Sequence, residues 1–131
     1  MRKLVLILAF FVAIIALVAV PRSASACMCM PVTAEKALAN ADVVFIGRVT
    51  NIRDGHIEFE LVAVWKGRAT STTTLATLAS VAPEIKPGFK AVWNSCDFPF
   101  HVGEEYVVYA RQDPQTQVLT TSICSGTKAK I

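Results

Sequence analysis

The chain has 131 residues, and thirteen basic residues against ten acidic ones give it a formal charge of +3. Three of the basic residues, Arg2, Lys3 and Arg22, fall within the first 26 positions, so residues 27–131 carry ten charges of each sign and are neutral overall. That balance, with no long basic run, excludes the electropositive face on which nucleic-acid binding depends. The 105 residues after position 26 suffice for one domain.

The N-terminus reads in three zones. Met1-Arg2-Lys3 is positive, Leu4 to Val20 is an unbroken run of 17 apolar residues, and Pro21-Arg22-Ser23 leads into Ala24-Ser25-Ala26. A short positive zone, an apolar stretch and small residues in an A-x-A arrangement are what a secretory signal requires. A retained membrane anchor is the rival reading, but 17 residues is the lower limit for a spanning helix. Residues 1–26 are therefore expected to be a cleaved signal peptide. Residues 27–131 then form the exported domain, extracellular or in the cell envelope, with Cys27 as its first residue.

All four cysteines, Cys27, Cys29, Cys96 and Cys124, follow the expected cleavage site. In an exported domain with a core this small, an even number of cysteines reads as a disulfide framework. Cys27 and Cys29 are two apart in an extended segment, too constrained to bridge each other easily. Each therefore reaches a distant partner, Cys96 or Cys124, in an order that spacing leaves open.

After the extended Cys27–Pro31 segment, Ala34–Asn40 is expected to form a short helix, with Thr33 as its cap and Glu35 at its positive end. Residues 43–52 are rich in β-branched side chains, Asp54-Gly55 is a hairpin signal, and 56–65 return as a strand. In that second strand Ile57, Phe59 and Leu61 alternate with Glu58 and Glu60. Residues 72–77, 105–110 and 118–121 are further strand candidates, and Asp113-Pro114-Gln115 turns between the last two. Residues 79–101, with Pro83, Pro87, Gly88 and Pro99, read as irregular. Five short strands and one helix in this length predict an all-β fold with a short helix, a closed or nearly closed barrel.

The two histidines, His56 beside the hairpin turn and His101 in a loop, sit in no catalytic motif and read as surface residues, so no enzyme and no cofactor is expected. Cys-x-Cys lacks the second pair of ligands that a structural zinc site needs. It can exchange disulfides, although the α-amino group of Cys27 is the only nearby device for lowering a thiol pKa. A cysteine directly behind a signal can also be acylated, which would anchor the domain to a membrane. Against this, Ala24 stands where lipoprotein signals carry a larger aliphatic residue, and Pro21-Arg22 interrupt the apolar run. The most specific chemistry is that of a freed Cys27. Its α-amino nitrogen and carbonyl oxygen can form a five-membered chelate, and a disulfide there would hold the chelate rigid. Such an end could cap the open coordination position of a catalytic zinc in another protein.

The residues that carry this chemistry resemble a known family. Cys27-x-Cys29-x-Pro31 followed by Ala41-Asp42-Val43-Val44-Phe45-Ile46-Gly47 is similar to the start of a tissue inhibitor of metalloproteinases. Cys96-x-x-x-Phe100, Gly103-Glu104-Glu105-Tyr106-Val107-Val108 and Leu119-Thr120-Thr121-x-x-Cys124 continue the resemblance in order. It implies a netrin-like, five-stranded OB-fold barrel and the pairs Cys27–Cys96 and Cys29–Cys124. It implies a zinc metalloproteinase as partner, with the Cys27 amino and carbonyl groups on the protease zinc and Met28 in the adjacent specificity pocket. Cys29, Met30 and Pro31 would continue the wedge, and Ser95, Cys96 and Asp97 would lie beside it. The sequence departs from the animal inhibitors in two ways. Leu38-Ala39-Asn40 stands where a third disulfide would begin, and no second domain is expected. In both respects it resembles the short bacterial relatives.

If the signal reading is right, intact mass spectrometry of the protein exported by its native host gives a mass beginning at unmodified Cys27. A mass increased by diacylglycerol and an acyl chain would instead establish the lipid-anchored form.

Overall fold

A computed structural model describes residues 1–18, 27–82, 88 and 91–130. The expected cleavage-site residues 21–26, and Pro83 and Pro87 of the irregular stretch, lie outside the described residues. Helix α1 (Arg2–Val18) coincides with the apolar run, and its side chains from Arg2 to Leu17 are all exposed. Its apolar side chains stay exposed, with none from Leu4 to Leu17 in the core. Among the described residues, no helix is long and apolar enough to cross a membrane.

The domain begins at α2 (Ala34–Asn40). Thr33 caps it as the composition requires, its hydroxyl accepting from the Lys36 N–H at 3.2 Å. Strand β1 (Val43–Arg53) and strand β2 (His56–Lys66) form an antiparallel hairpin closed by Asp54 and Gly55. Both turn residues have positive φ, 50° and 76°, the two-residue geometry that matches strand twist and that Asp-Gly favours. Then follow β3 (Thr72–Ala76), the single helical turn α3 (Leu78–Val81), β4 (Glu105–Gln112), β5 (Leu119–Thr120) and β6 (Lys128–Ala129).

The strands close on themselves. β1 pairs with both β2 and β4, β2 with β3, β3 in parallel with β5, and β5 with β4, so the order β1-β2-β3-β5-β4 returns to β1. This is the five-stranded OB barrel. Three register shifts along the β1–β2 ladder coil the long hairpin around it.

Alternation decides what fills the barrel. Phe45 and Val49 of β1, Ile57 and Phe59 of β2, Leu75 of β3 and Tyr106, Val108 and Ala110 of β4 point inward. Glu58 and Glu60 are exposed. The intervening residues of β1 and β4, namely Val44, Val107 and Tyr109, are also buried, because Ala37 of α2 and its C-cap residue Ala41 cover that outer face. These two strands therefore read as near-continuous apolar runs, the signature of burial on both faces. The barrel interior is completed from outside the sheet. Phe98 and Phe100 enter from the irregular stretch, and Phe100 meets Phe59 and Tyr106 edge-on at 5.1 and 4.9 Å. Such pairs add to the gain from burial alone. The Tyr106 hydroxyl donates to Glu104 Oε2 at 2.7 Å and accepts from the His101 N–H at 2.9 Å. Burial, reinforced by the Glu104 carboxylate, pushes this phenol above its ordinary pKa.

Three elements differ from expectation. β5 keeps two residues rather than four, because Thr121 turns inward and its hydroxyl bonds the Tyr109 carbonyl at 2.8 Å. The stretch after β3 opens with α3, where the Thr77 side chain accepts from the Ser80 N–H. β6 pairs with the free edge of β4 at Tyr106 and Val107, and a two-residue Lys-Ala strand has no pattern that sequence could show. Glu105 ties this edge together, bonding Lys130 at 3.1 Å and Arg48 at 3.2 Å. Lys130 first, then Arg48, holds its carboxyl below the usual carboxylate range. The stabilisation is therefore present above that range and fades as pH falls through the lowered value.

One close approach places the loop after β5. Gly126 has φ +92°, and a Cβ there would lie 2.7 Å from the Cβ of buried Ala37. Gly103 has a similar φ of +88° with nothing within 4 Å. Gly103→Ala should cost about 1–2 kcal/mol of backbone strain. Gly126→Ala should cost about 1–3 kcal/mol more, because the loop must lift off α2. Urea denaturation of the two variants checks the difference.

Candidate functional site: the stapled N-terminal ridge

Residues 27–33 run extended, with neither helix nor strand pairing, until Thr33 starts α2. Side chains alternate along such a segment. Cys27 and Cys29 face the domain and are bridged to it, whereas Met28 and Met30 point away, 91% and 85% exposed. Pro31 and Val32 are exposed too. The bridges are Cys27–Cys96 and Cys29–Cys124, each with Cα atoms 5.1 Å apart, as the resemblance implied. Among the described residues no cysteine is free.

Two loops receive these bridges, and both are rigid by local hydrogen bonding. In the first, the Asn94 side-chain oxygen accepts from the N–H groups of Cys96 and Asp97, at 2.9 and 3.1 Å. In the second, Ser122 and Ser125 bracket Cys124. The Ser122 hydroxyl accepts from the Cys124 N–H at 3.1 Å, and the Ser125 hydroxyl accepts from the Ser122 N–H at 3.1 Å. The Ile123 N–H donates to the Cys96 carbonyl at 3.0 Å and joins the two loops. The ridge thus lies across a platform made of two tied turns.

Most of the expected site residues come together here: Cys27, Met28, Cys29, Met30 and Pro31 form the ridge, and Cys96 anchors it. Ser95 is exposed on the first loop. Asp97 needs a correction. The structure turns it inward, 5% exposed, rather than onto the surface beside the ridge. Its Oδ1 accepts from the Leu78 N–H at 2.6 Å and its Oδ2 from the Asn94 N–H at 2.8 Å. A carboxylate that satisfies two backbone donors in the interior holds the Cys96 loop against α3 and has no free face for a partner.

Sequence reasoning missed Val32 and Ile123. Both are exposed and apolar, and with Cys29, Met30, Pro31, Cys124 and Gly126 they line a shallow hollow of about 300 Å³ beside the ridge. Their positions next to Pro31 and Cys124 were the available signal. A larger hollow, about 550 Å³, has a mixed polar and apolar lining and lies away from the ridge, along Thr72, Thr73 and Thr74 of β3.

The Sγ atoms of Cys27, Cys29 and Cys124 lie within 4.8 Å of one another, as compact as a metal site requires. All three are in disulfides and offer no thiolate, so they do not fit a metal. His56 directs its Nδ1 at the Asp54 carbonyl, 3.0 Å away at the hairpin turn, and His101 is exposed in its loop. Neither belongs to the ridge. What the site can offer a partner is shape: a fixed backbone, two protruding thioether side chains and an apolar flank.

Comparison of the sequence with protein-family models returned no match, and neither did comparison with curated proteins.

Asp97→Ala should lower stability by about 2–3 kcal/mol, because it leaves the Leu78 and Asn94 N–H groups without their acceptor. Thermal denaturation measures the loss, and non-reducing peptide mapping should find both disulfides intact.

Proposed function

We propose that the protein inhibits zinc metalloproteinases by inserting a processed N-terminus, beginning at Cys27, into the active-site cleft. The observation that carries this reading is Met28, 91% exposed between two cysteines that are each bridged to a rigid loop. The two bridges already order the backbone on either side of this side chain. Binding would therefore lose little conformational freedom there. The resemblance of the Cys-x-Cys region to tissue inhibitors of metalloproteinases supports the same reading.

The chemistry is coordination in trans. The freed α-amino nitrogen of Cys27 donates its lone pair to the protease zinc, its carbonyl oxygen completes the five-membered chelate, and together they displace the zinc-bound water. The nucleophile of the protease is then gone. The Cys27–Cys96 bridge holds the two donor atoms at one orientation. Met28 fills the pocket beside the zinc, and Met30, Val32 and Ile123 supply apolar contact along the flank. A carboxylate at position 97 has no part in this contact, since Asp97 supports the loop from within.

The experiment compares the protein starting at Cys27 with the same protein carrying one extra Ala before it. Inhibition is measured against a panel of zinc endopeptidases with a fluorogenic peptide, alongside a melting curve. The extension turns the amine into an amide, whose lone pair is tied up by resonance. It should abolish inhibition while melting hardly moves. Met28→Gly in the unextended protein should weaken inhibition by about 1–3 kcal/mol, roughly five- to 150-fold. Equal inhibition by the extended form would remove the Cys27 terminus from the mechanism. No inhibition of any endopeptidase by the unextended form would favour a non-catalytic binding module of the cell envelope.

A further inference from the structure

The two disulfides at the ridge are not independent. Cys27 Sγ, bonded to Cys96, lies 3.9 Å from Cys124 Sγ, which is bonded to Cys29. About 2 Å of travel separates that contact from an S–S bond. Both partners are on tethered backbone: Cys124 sits in its serine-bracketed turn, and Cys27 is two residues from the second bridge. From this geometry we infer that the four cysteines form a thiol–disulfide relay, in which opening either bridge transfers the surviving disulfide to the pair Cys27–Cys124.

The exchange needs a reductant, and an external dithiol supplies it. When its thiolate attacks Cys96 Sγ, the Cys27–Cys96 bond breaks and Cys27 leaves as a thiolate. The second thiol of the reductant then resolves the mixed disulfide. Cys96 is released as a thiol and Cys27 stays a thiolate, so two electrons and one proton have passed from the dithiol to the protein, its other proton having gone to water. The Cys27 thiolate attacks Cys124 Sγ, the Cys27–Cys124 bond forms, and Cys29 departs as a thiolate that takes up a proton from water. The opposite entry reaches the same end. If the Cys29–Cys124 bridge opens first, the Cys124 thiolate attacks Cys27 Sγ and expels Cys96. Either way one disulfide survives, Cys27–Cys124, and the free thiols are Cys29 and Cys96.

In the relayed form Cys27 takes the place of Cys29 over the second loop. Met28 then no longer lies between two bridges, and the segment is held to the domain at Cys27 alone. The segment stays tethered throughout. The ridge would thus report a reducing environment by changing shape rather than by coming loose. This inference rests on the sulfur geometry alone and stands or falls independently of any protease.

The test uses the purified, fully oxidised protein. A limiting amount of dithiothreitol is added under native, mildly alkaline conditions, and the reaction is quenched with acid. Free thiols are alkylated, and singly reduced molecules are mapped by fragment-ion mass spectrometry. Independent bridges give molecules labelled at Cys27 and Cys96, or at Cys29 and Cys124. The relay gives a third species labelled at Cys29 and Cys96, with Cys27 joined to Cys124. Finding that species in singly reduced, still folded protein (folding checked by circular dichroism) is the expected result. Label confined to the two native pairs overturns the inference. Cys96→Ser supplies a second measurement, because it leaves Cys27 free without any reductant. It should divide between Cys27–Cys124 and Cys29–Cys124 bridges. Recovery of Cys29–Cys124 alone would also overturn it.

Discussion

The pair of disulfides at one end of the barrel is the constraint on which the ridge depends. A seven-residue segment with no helix, no strand pairing and both methionines in water has little of its own to order it. Cys27–Cys96 spans 69 residues and Cys29–Cys124 spans 95, and each taken alone is worth about 4–5 kcal/mol by chain entropy. The two do not add. Once the first has formed, the second closes an effective loop of only about 30 residues, 96–124 together with 27–29, and contributes about 3–4 kcal/mol. What the second bridge adds instead is direction. One bridge would leave the segment free to swivel, whereas two bridges two residues apart fix which face of it points outward.

That fixation reaches the core through the loops. The Cys96 loop is bracketed by Asn94, buttressed by buried Asp97 against α3, and followed immediately by Phe98 and Phe100, which complete the barrel interior. The Cys124 loop follows β5 and lies on α2, where Gly126 meets Ala37. The ridge is therefore bonded to one loop rooted inside the barrel and another rooted on the layer outside it. Most of the ordering of the ridge is done at a distance from it, by groups with no surface of their own.

Composition explains why α2 matters beyond its seven residues. β1 and β4 are apolar on both faces, and the outer face with Val44, Val107 and Tyr109 would otherwise lie in water. The same helix thus covers a sheet face, supports the Cys124 loop and ends the ridge at its Thr33 cap. The hydrophobic layer and the position of the ridge have one cause.

Much of this was legible in the residues. The hairpin followed from Asp54-Gly55 between apolar runs, the inward face of β2 from strict alternation, α2 from its cap, and the presence of disulfides from four cysteines behind an apolar N-terminal run. Each is a local rule, decided by φ/ψ preference or by a period of two. The pairing of the cysteines was not decided by spacing, since distance along the chain carries no information about distance in space. The inward turn of Asp97, the shortening of β5, the addition of β6 and the apolar flank of Val32 and Ile123 were equally hidden. Each is settled by contact between segments far apart in sequence, where burial, an available backbone donor or a free strand edge overrides local preference. The sequence by itself determined α2, the β1–β2 hairpin, the alternation of β2 and the place of Met28 between two cysteines. Barrel closure decided that 94–97 and 122–125 would meet, because only closure brings β3, β4 and β5, and the loops they carry, to one end, where the two bridges then hold 27–31.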